Sequence, residues 1–113
     1  MNESDKVERL LDDLAVITQQ AAWVTAAGHQ AYLSDDAQGS ILRNAGERVL
    51  IKVGTVVERL PEAFKQARPG IAWRDIGRMR NLVAHHYDHV NDDLVWNALK
   101  TLIPNLWAEI RGH

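Results

Sequence analysis

Apolar residues return at steps of three and four along almost the whole chain, and this spacing restricts the fold more than any other feature. Val7, Leu10, Leu11, Leu14, Ile17, Ala21 and Val24 form one stripe. Leu42, Ala45, Val49, Val53, Val56 and Leu60 form a second, and Val95, Leu99, Leu102, Leu106 and Ile110 a third. Such steps stack side chains on one face of an α-helix, whereas a half-buried strand would alternate. No alternating stretch of useful length is present. A further helix is predicted from about Ala72 to about Tyr87. The expectation is an all-α, up-and-down bundle of four main helices with short connections, folded as a single domain over residues 1–113.

The breaks between stripes have their own chemistry. Ser4 and Ser34 are candidate N-caps, each followed closely by aspartate, and Asn91 is a third, followed by Asp92 and Asp93. "GHQAYLSDD" interrupts the first pattern, Pro61 ends the second helix or begins a short extra turn, and "RPG" at 68–70 is a clear break. Gly46 and Gly54 lie inside the second helix, each at a cost of up to ~1 kcal/mol of helix propensity relative to alanine. Close approach of another helix is one reason to accept that cost. Pro104 should bend the last helix or leave one carbonyl unpaired. Trp96, Ile103 and Trp107 widen the last stripe, and a homodimer would bury the excess.

Composition excludes several functions. There is no cysteine, hence no disulfide, thiol nucleophile or thiolate metal site. The charged start "MNESDKVER" lacks the apolar core of a signal peptide, and no apolar run approaches the ~20 residues that span a bilayer. A cytoplasmic protein without membrane contact is expected. The net charge of −2 does not predict nucleic-acid binding. Locally, however, Arg59, Lys65, Arg68, Arg74, Arg78 and Arg80 outnumber Glu62 and Asp75, and that excess could attract phosphate.

The chemistry concentrates in "RNLVAHHY", residues 80–87. On a helical wheel Ile76, Met79, Leu82 and Val83 form the core face. Arg80 and Tyr87 share one direction beside it, and His86 falls within it. An arginine there requires a carboxylate, a phosphate or water, because burying an unpaired charge is expensive. Asn81 and His85 are an i, i+4 pair, so the amide can hold the imidazole in one tautomer. Arg80 and His85 lie about 140° apart. They meet one ligand only if the helix ends there or a second chain contributes. His85 and His89 could bind zinc, but no third ligand is evident, and no metal is expected. By type, a histidine can take or give a proton near neutrality, and an arginine can fork onto a phosphate.

Arg80, His85 and Tyr87 spell R-x4-H-x-Y. With the surrounding "IAWRDIGRMRNLVAHHYDHVNDDLVW", this resembles the motif segment of the HEPN superfamily, specifically the HepT-like toxins of prokaryotic toxin–antitoxin pairs of type VII. The similarity runs from about Ile41 to Trp107. One departure is Gly54-Thr55 where family members often carry Gly-Glu; Glu47 or Glu58 would then have to partner Arg80. The resemblance implies a HEPN-like homodimer acting as an endoribonuclease without metal or cofactor, on RNA and not on DNA. His85 would be the acid/base, Arg80 the electrostatic stabiliser and Asn81 the positioner, with Arg74, Arg78 and His86 contacting substrate. It also implies an MNT-type nucleotidyltransferase antitoxin that transfers AMP onto Tyr87. The alternative is a non-catalytic helical subunit that binds a nucleotidyltransferase.

Overall fold

The computed structural model describes residues 2–86 and 89–112. Helix α1 spans Glu3–Thr25, α2 His29–Leu33, α3 Ala37–Arg59, α4 Glu62–Gln66 and α5 Trp73–His85. The last helix begins as α6, Asp92–Asn97, passes through a π-helical turn, Ala98–Leu102, and continues as α7, Ile103–Arg111. The described residues contain no strand. Four main helices are thus present, as the periodicity requires, with α2 and α4 as short additions in the connections. The body measures 46 × 26 × 25 Å. At 1.5 Å per residue, α1 and α3 are each about 35 Å long and set its long axis.

Helix α3 is the organising element, packed against α1, α2, α5 and the last helix. Its Val49, Leu50, Val53, Val56 and Val57 meet Leu14 and Ile17 of α1 and Val95, Leu99 and Ile103 of the last helix in one buried core. Trp96 and Ile103 are inside this core and Trp107 packs against it. The bundle therefore covers the side chains that suggested a dimer from sequence. Exposed apolar surface lies elsewhere, at Val16, Trp23, Ile41 and Leu82.

Two helix caps lie two residues from their predicted positions. Asn2, not Ser4, caps α1, its side-chain oxygen accepting from the Asp5 N–H at 2.8 Å. Asp36, not Ser34, caps α3, accepting from the Gly39 N–H at 2.8 Å and from the Ser34 hydroxyl at 2.7 Å. These two bonds hold the Asp36 carboxyl below its usual pKa, because both favour the ionised form. Asn91 caps α6 as expected, accepting from the Leu94 N–H. Pro104 ends the π turn: Ile103 N–H bonds to Ala98 O, a five-residue step. Widening the helix there accommodates the proline, which lacks an N–H and crowds the preceding turn.

At the end where α2 meets α6, Tyr32 is fully buried, its ring tilted against that of Trp96, and its hydroxyl has no partner among the described residues. Burial, then the charges of Asp92 and Glu47, push its pKa up. Partial burial, followed by the Asp92 charge, also raises that of Glu47, against an opposing effect of Arg43. Arg43 donates to the carbonyls of Tyr32 and Ser34. His29 Nε2 lies 3.1 Å from Asp93 Oδ1 and ties α2 to α6.

Candidate functional site

The candidate site forms where α5 crosses α3. Ile76 and Val83 anchor α5 in the core, and Met79 packs beside them. Leu82 does not join that face: it is 56% exposed, because α5 packs chiefly on α3. The crossing depends on Gly54. A Cβ at that position would overlap Cβ and Cγ of Arg80. The glycine therefore lets the arginine stem lie against the α3 backbone, and only the guanidinium end can move.

That guanidinium is held on both sides. Nη1 donates to the Asn81 side-chain oxygen at 3.0 Å, and Nη2 reaches the Thr55 hydroxyl at 3.5 Å. The carboxylate in reach is Glu58, at 3.9 Å from Nη1. Glu47, the other candidate, lies in the Tyr32–Asp92 neighbourhood instead. The Glu58 side chain is 70% exposed, and an exposed pair at this distance contributes little, on the order of 0–1 kcal/mol. Nε of Arg80 is buried without a partner among the described residues. Among the described residues the cation is therefore oriented but poorly neutralised. It lines a hollow of about 300 Å³ with Gly54, Glu58, Lys65, Trp73 and Asn81.

His85 is the last residue of α5 and is exposed. Its side chain makes no hydrogen bond among the described residues. The Asn81 amide oxygen faces Arg80, not His85, so the i, i+4 bond inferred from the wheel is not formed. His86 is the C-cap of α5 and is exposed, not packed in the core. Its backbone leaves the helical region there, which ends the helix at His85. Tyr87 itself lies outside the described residues. Arg74 and Arg78 are exposed on the outer face of α5, with Arg78 3.8 Å from Asp75. The structure thus brings Arg80 and Asn81 together and leaves His85 a turn further along.

Other basic residues of the sequence cluster have local structural work. Arg68 covers the Phe64 ring at 3.7 Å and donates to the Phe64 carbonyl. Trp73 Nε1 donates to the carbonyls of Lys65 and Arg68 and so pins the connection before α5. Sequence reasoning missed Thr55 as a neighbour of Arg80; the glycine beside it was the available signal. Among the described residues, no helix is long and apolar enough to cross a membrane.

A sequence profile described as ribonuclease HepT-like matches residues 8–111. Among curated proteins, one named for an inferred RNase activity in Methanocaldococcus jannaschii is 33% identical over 56% of this chain and 52% of its own length. One named likewise in Caldanaerobacter subterraneus subsp. tengcongensis is 29% identical over 68% of this chain and 69% of its own. One named as an inferred ribonuclease HepT in Thermococcus cleftensis is 36% identical over 52% of this chain and 54% of its own. The aligned region thus spans between about half and two thirds of these relatives. No solved structure matches.

Proposed function

We propose that this chain, which belongs to the ribonuclease HepT-like family, cleaves RNA without a metal ion, using Arg80, Asn81 and His85. The observation that carries the reading is the state of Arg80: its stem is fixed against Gly54 and its guanidinium is bonded to neutral groups, with the Glu58 carboxylate only at 3.9 Å. A cation so arranged is ready for a phosphate. RNA carries its own nucleophile, the 2′-hydroxyl. Cleavage requires removing its proton, stabilising charge on the phosphoryl oxygens and protonating the leaving 5′-oxygen. His85, at an exposed helix end, serves as the acid/base, a role typically worth ~10²–10⁴-fold. Arg80 stabilises the phosphorane charge. Asn81 positions the guanidinium, a role its hydrogen bond supports directly. Arg74, Arg78 and His86 supply further substrate contacts.

The active form in this reading is a homodimer. Arg80 faces α3 whereas His85 projects from the end of α5, so a second copy brings a His85 to each Arg80. Exposed Leu82 on the same helix offers apolar surface for it. The cognate partner is an MNT-type nucleotidyltransferase antitoxin, which silences the toxin by transferring AMP to Tyr87. AMP units near Arg80 would occupy the cation and block the cleft.

The test is cleavage of labelled RNA in EDTA by the unmodified protein and by His85→Ala. Cutting by the unmodified protein alone, with 2′,3′-cyclic phosphate ends, is expected. If neither protein cuts, or both cut equally, the catalytic reading fails and a non-catalytic nucleotidyltransferase-binding subunit takes its place. Tyr87→Phe treated with the nucleotidyltransferase should gain no AMP mass and keep its activity; AMP gained with loss of activity would refute the assigned residue.

A further inference from the structure

A second charged surface lies on the other side of Thr55. Arg48, Lys52, Thr55 and Arg59 follow one another at steps of three and four along α3, and so share a face. Arg48 and Arg59 are exposed and form no hydrogen bond or ion pair among the described residues; Lys52 donates to the Gln20 side-chain oxygen at 3.4 Å. One surface hollow of about 330 Å³ is lined by Trp23, Gln20, Arg48 and Lys52. A second of the same size is lined by Gln20, Arg48, Lys52, Thr55 and Arg59. Three residues are common to both, so the hollows adjoin. Each is at the lower end of the size of a small-ligand site, roughly 300 Å³. Trp23, at 66% exposure, stands at the far end with its indole open to solvent. Asp13 is the acidic residue in this lining; three cations outweigh it.

At the near end, the Thr55 hydroxyl accepts from Arg80. From Arg48 to Thr55 the helix rises about 10 Å, a span that suits a strand of a few nucleotides. Cations spaced along a groove with an aromatic platform are the two components of sequence-tolerant single-strand binding: phosphates are neutralised and a base stacks. An apolar protein partner would account for Trp23 and the exposed Val16, but not for Arg48, Lys52 and Arg59, which form no ion pair among the described residues. We propose that the α1–α3 face formed by Trp23, Arg48, Lys52 and Arg59 holds the single-stranded RNA substrate outside the cleavage site, with a base on Trp23 and the backbone running toward Arg80. The inference rests on the RNA-cleavage reading above.

The experiment uses the full chain, the double variant Arg48→Ala/Lys52→Ala, and Trp23→Ala. Binding is read with a fluorescent RNA of about eight nucleotides that is 2′-O-methylated, so that it has no nucleophile and cannot be cut. The double variant should bind about tenfold more weakly. Its plot of log affinity against log salt should be shallower by about 1.4, which is ~0.7 for each of two lost phosphate contacts. Trp23→Ala should bind at least fivefold more weakly with an unchanged salt slope, because stacking is not ionic. Both variants should cut a dinucleotide as the unmodified protein does and lose kcat/KM on longer RNA. Unchanged affinity and slope in variants of a protein that does cut RNA would overturn the proposal and leave the catalytic reading intact. If the unmodified protein neither binds nor cuts, the catalytic reading itself fails. A change from dimer to monomer in Trp23→Ala by light scattering would assign the face to a second copy instead.

Discussion

Replacing Gly54 by alanine tests the construction of the site most directly. In an unconstrained helix the change should stabilise by up to ~1 kcal/mol, the propensity difference between the residues. Here the new methyl would meet Cβ and Cγ of Arg80. Cβ is fixed to the α5 backbone, so rotamer changes cannot relieve the overlap and α5 must move. Overpacking of this kind costs about 1–3 kcal/mol. After the propensity gain, a net loss of about 1 kcal/mol remains, near a 4 °C fall in melting temperature for a chain of this size. The kinetic effect should be larger: a ~1 Å displacement of a positioned group can cost about 10²-fold, and here the group displaced is the guanidinium proposed to bind phosphate. Gly77 provides the control. It is also inside a helix and lines the same hollow, but an added Cβ meets nothing within 4 Å. Gly77→Ala should therefore melt higher by up to about 4 °C and keep its activity. The assays are thermal unfolding by circular dichroism and RNA cleavage, on both variants. If Gly54→Ala melts as high as Gly77→Ala and cuts RNA normally, α5 is not seated on Gly54 and the account of Arg80 is wrong.

Two further changes probe the end of the bundle where α2 meets α6. Burial raises the pKa of Glu47 above its ordinary value of 4.5, so the folded state favours the protonated form and stability falls as pH rises from 4.5 through the folded pKa. Glu47→Gln should raise the melting temperature at pH 7 and have little effect near pH 4; equal gains at both would show that charge is not the cause. Tyr32→Phe removes a buried hydroxyl without a partner among the described residues, and deleting such a group should stabilise by about 1 kcal/mol, several degrees by calorimetry. A lower melting temperature would show that the hydroxyl is satisfied after all.

The stripes of α1, α3 and the last helix were legible because burial on one face imposes its period on the sequence. Caps were legible only to within a few residues. Asn2 and Ser4, or Ser34 and Asp36, are equivalent in composition, and only the bonds to Asp5 and Gly39 separate them. Leu82 was misplaced for a different reason. A wheel gives the direction of a side chain but not whether another helix lies there, and α5 packs chiefly on α3. The partner of Arg80 was left open between Glu47 and Glu58. Eleven residues apart, these project from almost the same side of α3 and differ by about 16 Å along it. The decision therefore needed the axial level at which α5 crosses. Gly54 marks that level, four residues from Glu58 and seven from Glu47, so its steric role held the information that charge pairing alone could not supply.

The same crossing gives the departure at position 55 a physical meaning. A glutamate beside Arg80 would orient the guanidinium and also neutralise it. Threonine can do only the first: its hydroxyl accepts one bond from Nη2 and carries no charge. The Asn81 amide likewise takes a bond from Nη1 without neutralising it. Among the described residues the carboxylate paired with it, Glu58, stands at 3.9 Å with most of its side chain in water, where attraction is screened. Orientation and charge are thus separated at this site: neutral groups aim the cation, while its charge stays available for an anion, which the proposed function takes to be a phosphate. Because Thr55 also belongs to the α3 face that carries Lys52 and Arg59, a bound anion would meet Arg80 at the edge of a larger positive surface and not in isolation. A missing glutamate therefore need not mean a lost activity, since the stem of Arg80 is fixed by Gly54 and its head by Thr55 and Asn81.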